Sequence, residues 1–302
     1  EEKGHEVIFT TREHPDTIPL AKYLNLKVEV IGKYDPRTLY TRLYEGLRRQ
    51  LKFSRIFMKD PPKYAICHGS VDLCRVAFGL GVPIICTFDT PHADAVNRLT
   101  IPLASVVVAS KAIPQEIIRS YGAKRIIQFD GVDEVAWMRG FKPLIEFDFK
   151  RPFIVVRESE AAYARGNADV MEKIARDLVS LGQVMYLSRY SRRRRRGLIV
   201  PKGFIDSASL AAQADLVVSV GGTIAREAAL SGTPSIVIDV FGKIHVNEYL
   251  VSKGFPIFIT KPEDALRYAK KYLGMRFDVK TLLMELENPV DVIENIIIEE
   301  KY

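Results

Sequence analysis

The chain is short of cysteine, tryptophan and side-chain amides. Its 302 residues include three Cys, one Trp, five Gln and six Asn. Cys67, Cys74 and Cys86 all fall in the first half, in apolar surroundings, and their number is odd. That rules against a disulfide framework. Without Cys-x-x-Cys spacing no metal site is expected, and the pattern reads as buried, reduced thiols of a cytoplasmic protein. No apolar run reaches the ~20 residues needed to cross a bilayer. The opening Glu1-Glu2-Lys3-Gly4-His5 is not a signal peptide. Scarce Gln and Asn beside abundant Lys, Arg and Glu fit a heat-adapted protein.

What is present is ordinary for a globular chain, with 47% hydrophobic and 27% charged residues. The length suffices for two separately cored domains. The net charge of +7 favours anionic partners such as phosphates, nucleic acid or an acidic membrane surface, and says nothing about fold.

Short apolar runs alternate with helical patterns. Strands are expected at 5–11, 27–31, 64–67, 83–88, 105–109 and 126–129. A second series is expected at 153–156, 184–187, 198–200, 216–220, 235–238 and 257–259. Helical periodicity covers 16–24, 36–57, 71–80, 114–121, 167–181, 247–253 and 262–273, with Leu39, Leu43, Leu47 and Leu51 on one face of the second. Such alternation specifies an α/β fold of parallel sheets covered on both faces. Residues 140–152, with two prolines and mixed charge, read as a linker between a domain at 1–141 and one at 152–289. Two Rossmann-like sheets facing each other would leave a cleft at the C-terminal ends of their strands, where open parallel sheets bind ligands. Residues 1–7 look like the end of a helix entering a second strand, so a preceding strand–helix unit of ~25 residues is expected.

The richest segment is Ser219-Val220-Gly221-Gly222-Thr223-Ile224-Ala225-Arg226-Glu227. A buried strand runs into two glycines, and Thr223 is placed to cap the helix that follows. A strand, a glycine turn and a helix N-terminus present unpaired N–H groups and a positive dipole end to an anion. Glycine lets a phosphate approach the backbone closely. Glu227, one turn into the helix, is placed to accept hydrogen bonds from sugar hydroxyls. A tight turn with no ligand is the alternative, because short Gly-rich motifs are common.

A second cluster supplies familiar context. Ala65-Ile66-Cys67-His68-Gly69-Ser70 is followed by Thr87-Phe88-Asp89, then Ala95-Val96-Asn97-Arg98-Leu99-Thr100, then Gly131-Val132-Asp133. This order resembles the UDP-N-acetylglucosamine 2-epimerases, with their His-Gly-Asp and Asn-Arg-Arg-Leu-Thr-like segments. The glycine turn resembles the diphosphate-binding turn of those enzymes and of GT-B glycosyltransferases. Nearly the whole chain is similar to an archaeal and bacterial family with a domain of unknown function, number 354. Its Gly-Gly-Thr-x-x-Arg-Glu-Ala-Ala-Leu-x-Gly-Thr-Pro signature corresponds without a gap to Gly221 through Pro234. The resemblance implies a GT-B arrangement, with a C-terminal helix at 290–302 crossing back to the first domain. It implies a nucleotide sugar, UDP-linked by the nearest analogy, as co-substrate, with no other cofactor and no metal. Ser70 replaces the epimerase Asp, and Phe88-Asp89-Thr90-Pro91-His92 replaces an acidic cluster, which weighs against epimerisation.

The candidate residues follow. His68, Asp89 and His92 end first-domain strands or the loops after them. His68 is either a ligand contact or a base, or else a neutral histidine bonded to backbone, while Asp89 and His92 are either a base and its orienter or loop anchors. Ser70, Asn97 and Arg98 are candidate substrate contacts, with Arg98 clamping a phosphate or pairing with Asp89. Arg157 and Arg189 end second-domain strands and suit a diphosphate, or else pair with Glu158 or Glu160. His245, Asn247 and Glu248, in the 243–248 segment that contacts the donor sugar in GT-B proteins, are candidate sugar contacts, with Asn247 alternatively a helix cap. Arg192, Arg193, Arg194, Arg195 and Arg196 form either a solvated loop or a patch for an anionic membrane or lipid-linked acceptor. Without interleaved aromatics they do not favour nucleic acid. The expected function is a glycosyltransferase using a nucleotide-diphosphate sugar. The alternatives are a nucleotide-sugar 2-epimerase or hydrolase, and a non-catalytic protein binding an anionic ligand or nucleic acid.

Overall fold

A computed structural model describes residues 4–159, 170–189, 191, 193–240, 242 and 244–299. The chain divides into two compact units. Unit 1 comprises Glu1–Phe129 with Ile293–Tyr302, and unit 2 comprises Asp130–Val292. The division falls at Asp130, ahead of the 140–152 segment expected to be the linker. The reason is that residues just after Asp130 bond into the layers of unit 2, as described below.

Unit 1 opens with a strand–helix unit, β1 (Phe9–Glu13) and α1 (Thr17–Tyr23), and β1 pairs in parallel with β2 (Val28–Lys33). The long α2 (Leu39–Lys59) begins at a capping box, in which Thr38 and Thr41 satisfy each other's backbone N–H groups. It packs on β2 and on α3 (Val71–Gly79). Its buried side chains include Phe53 and Phe57, while Leu39, Leu43, Leu47 and Leu51 are exposed. The leucine stripe is regular, yet it is the aromatic face that α2 buries within the described residues.

A four-stranded parallel sheet follows in the order β3 (Ala65–His68), β4 (Ile84–Phe88), β5 (Val106–Ser110), β6 (Ile126–Phe129). The β5 run of Val and Ala is buried at every position, as expected of a strand covered on both faces. Helices α4 (Asp94–Thr100) and α5 (Gln115–Ser120) connect these strands.

Unit 2 begins with the short helix α6 (Val135–Met138) and continues with β7 (Phe153–Arg157), α7 (Val170–Leu178) and β8 (Gln183–Leu187). Then come α8 (Ser207–Gln213), β9 (Leu216–Ser219), α9 (Thr223–Leu230), β10 (Ser235–Ile238), α10 (His245–Ser252), β11 (Ile257–Thr260) and α11 (Ala265–Tyr272). Helices α12 (Lys280–Glu285) and α13 (Pro289–Glu299) complete the chain's elements. The parallel sheet runs β11-β10-β9-β7-β8. Strand order therefore reverses between β7 and β9, and in open parallel sheets the carboxyl edge at such a reversal is where ligands bind. The expected strand at 198–200 makes only isolated bridges, Met185 with Ile199 and Arg195 with Leu198. Helix α8, unexpected from sequence, starts at Asp206, whose carboxylate accepts from the N–H groups of Ala208 and Ser209 at 3.1 and 3.3 Å. The expected helix start near Asn167 lies outside the described residues.

Candidate nucleotide site in unit 2

The turn between β9 and α9 sits at the strand-order reversal. Gly221 has φ +96°, which only glycine adopts without strain. A Cβ there would lie 2.4 Å from Asn247 Nδ2 and 2.8 Å from Ile244 Cδ1. Gly222 is the helix cap, with φ −80° and ψ −173°, and no side chain caps α9. Thr223 is thus the first helical residue and not the expected cap. A Cβ on Gly222 would meet nothing within 4 Å. The pair divides the work: Gly221 turns the chain against α10, and Gly222 leaves the helix N-terminus open.

The turn is fixed from behind. Asn247 Nδ2 donates to the Gly221 carbonyl at 3.2 Å, and Asn247 is fully buried. It is a strut of the turn. Ile244 occupies the cap position of α10, so Asn247 is not the cap. Asn247 Oδ1 has no hydrogen-bond partner among the described residues. Arg226 Nη1 donates to the same Gly221 carbonyl at 3.3 Å, and its Nε donates to Glu134 Oε1 at 2.6 Å. This ion pair is buried on both sides.

Glu227 is also buried, and both its oxygens already accept from the protein. Trp137 Nε1 donates to Oε1 at 3.2 Å and Ser207 Oγ to Oε2 at 3.0 Å. Burial pushes its carboxyl up to about 7, with Glu134 and Asp206 adding to the rise and the Ser207 and Trp137 bonds opposing it. Glu134, Trp137 and Ser207 were not singled out from sequence. Nothing in a linear motif marks residues some 90 positions upstream as partners of the Arg-Glu pair.

Arg157 closes β7 on the carboxyl edge, and β7 is the neighbour of β9 through Val156 opposite Val218. Arg189 is exposed, and its Nε donates to the Glu158 carbonyl at 3.2 Å. Glu160 lies outside the described residues. His245 and Glu248 are half-buried in the first turn of α10. Glu248 lines a pocket of about 90 Å³ with Val237, Asp239, Gly242 and Ile244. Lys243 and Arg192 lie outside the described residues.

The arginine run is not one surface. Arg195 is buried, donating through Nε to Glu172 Oε2 at 2.7 Å and stacking its guanidinium over Tyr186 at 4.7 Å. Arg193, Arg194 and Arg196 are exposed. The reading of all five as a loop patch is corrected: one of them anchors the loop to α7. Asp130 forms an ion pair with Lys253 at 3.1 Å and accepts from the Tyr249 hydroxyl.

In unit 1, His68 lies between two partners. Nδ1 is 2.7 Å from Thr87 Oγ1, and Nε2 is 3.1 Å from Asp89 Oδ1. Asp89 therefore orients His68, and His92 is an exposed loop residue. Ser70 is the cap residue of α3 but makes no capping bond with its side chain. Asn97 is buried and donates to the carbonyls of Thr90 and Pro91 at 3.0 and 3.3 Å, so it latches a loop where a sugar contact was expected. Arg98 pairs with Asp94 one turn back at 2.9 Å instead of with Asp89.

Parallel Rossmann-like units with a glycine turn at the strand-order reversal define a GT-B-type α/β protein. Within that class the chain belongs to the family described as protein of unknown function (DUF354), which it matches over residues 1–301. An uncharacterized protein of Methanocaldococcus jannaschii is 30% identical to it over 310 residues, covering 97% of this chain and 89% of the relative. Among solved structures, it resembles the UDP-GlcNAc 2-epimerase of Neisseria meningitidis bound to UDP-GlcNAc, with TM-score 0.68, 13% identity and 97% and 91% of the two chains covered. A Streptomyces glycosyltransferase complexed with thymidine diphosphate gives TM-score 0.58 at 16% identity, covering 98% and 92%. At these identities the likeness is one of fold.

Proposed function

We propose that the protein binds a nucleoside-diphosphate sugar in unit 2 and transfers the sugar to an acceptor hydroxyl. The observation that carries this is the open N-terminus of α9, where no side chain caps the helix and Gly222 leaves space. A helix end of that kind attracts a diphosphate through its N–H groups and its dipole. The two neighbouring structures described above hold UDP-GlcNAc and thymidine diphosphate, which supports the same ligand class here.

In this reading the sugar–phosphate C–O bond breaks and the nucleoside diphosphate leaves with the electron pair. The α9 N-terminus and Arg157 stabilise the charge that develops, the main catalytic effect in such a site. A bond forms from the acceptor oxygen to the sugar, and the acceptor's proton passes to a general base. The test is incubation with UDP-, TDP- and GDP-sugars and candidate acceptors while following nucleotide release. Absence of binding to every nucleotide at millimolar concentration would sink the proposal.

A second reading, epimerisation at C2, is favoured by one observation: the His68–Asp89 pair lies in the segment that resembles the 2-epimerases. It requires solvent deuterium to enter C2 without an acceptor. Donor binding with no such exchange decides against it.

A further inference from the structure

The chain's three cysteines converge. Cys67 on β3 stands directly opposite Cys86 on β4, and Cys74 on α3 packs onto them. All three are buried, and their Sγ atoms lie within 4.8 Å of one another. Cys67 and Cys74 Sγ are 3.3 Å apart, well beyond the ~2.05 Å of a disulfide. Three sulfurs around one ion with bonds of ~2.3 Å would stand about 4 Å apart, so small side-chain shifts suffice.

Cys74 lies near the N-terminus of the nine-residue α3, where the helix dipole favours thiolate charge. Among the described residues no fourth His, Cys or carboxylate joins the group. Soft thiolate sets select both zinc and monovalent copper, but structural Zn²⁺ takes four ligands, whereas Cu(I) is also held by three thiolates. Buried thiols behave as small apolar groups when protonated. Binding would therefore release protons to solvent, and the cation would offset the cost of burying the thiolates.

We propose that Cys67, Cys74 and Cys86 form a three-thiolate site for Cu(I), separate from the nucleotide site of unit 2. The test is an anaerobic titration of the reduced, full-length protein against Cu(I) held by a coloured chelator. One equivalent should transfer per chain, and because the chain has no other cysteine any thiolate binding reports this cluster. Cys74→Ser should weaken transfer by about tenfold or more. Cys86→Ala, tested in parallel, covers the case in which one variant fails to fold. No transfer to the wild-type protein, full affinity in a folded variant, or displacement of Cu(I) by equimolar Zn²⁺ would each overturn the proposal.

Discussion

Gly221 and Gly222 are neighbours with opposite tolerances. Gly221→Ala forces a side chain into positive φ and against Asn247 and Ile244, and should cost about 1–3 kcal/mol in urea unfolding. Gly222→Val meets open space at an ordinary φ and should fold normally. It should nonetheless lose nucleotide affinity by calorimetry, because the side chain stands over the helix end. Unchanged affinity in the folded Gly222→Val protein would remove the turn from the site. Glu227 gives a pH prediction. Its folded carboxyl is raised from 4.5 to about 7, so the folded state holds the proton more tightly than the unfolded chain does. Stability from this group is greatest below pH 4.5, falls as pH rises to about 7, and then levels off, a total of roughly 3 kcal/mol. Glu227→Gln should remove that slope in unfolding measured across this range. A slope unchanged in the variant would assign it to another group.

At the level of elements, the arginine loop separates two effects. Arg195→Gln should destabilise the protein by about 2 kcal/mol, since Arg176 still meets Glu172. Replacing Arg193, Arg194 and Arg196 with Gln should leave stability alone. If the loop meets an anionic bilayer, that replacement should release the protein from acidic vesicles, at roughly 1 kcal/mol per charge. Five identical letters gave no means of telling Arg195 from its neighbours; only the position of Glu172 and Tyr186 does. The same limit recurs elsewhere. Strands β6 and β10 match their expected bounds to the residue: β10 is a mostly β-branched run buried at every position, whereas β6 is half-buried and carries Gln128 among its apolar residues. Helix α8 is seven residues of Ser, Ala, Leu and Gln with no apolar period, and it was not legible. The glycine turn was visible in sequence. The supports of Arg226 and Glu227 were not, because Glu134 and Trp137 reach them only through tertiary folding.

For the whole molecule, the proposed ligand has a thermodynamic signature. A nucleoside diphosphate present at about 100 times its dissociation constant should add ~2.7 kcal/mol to stability and raise the melting temperature. A melt unmoved by UDP, TDP and GDP at millimolar concentration would count against the nucleotide reading.

Unit 1 is written in two pieces, with residues 130–292 between them and Ile296 buried at its returning end. Order of synthesis then matters. At 5–20 residues per second a ribosome spends roughly 10–30 s on the intervening stretch. During that interval residues 1–129 have been made but lack the 293–302 segment that completes their unit, while unit 2 is contiguous and can close as it emerges. The unit made first is the one finished last.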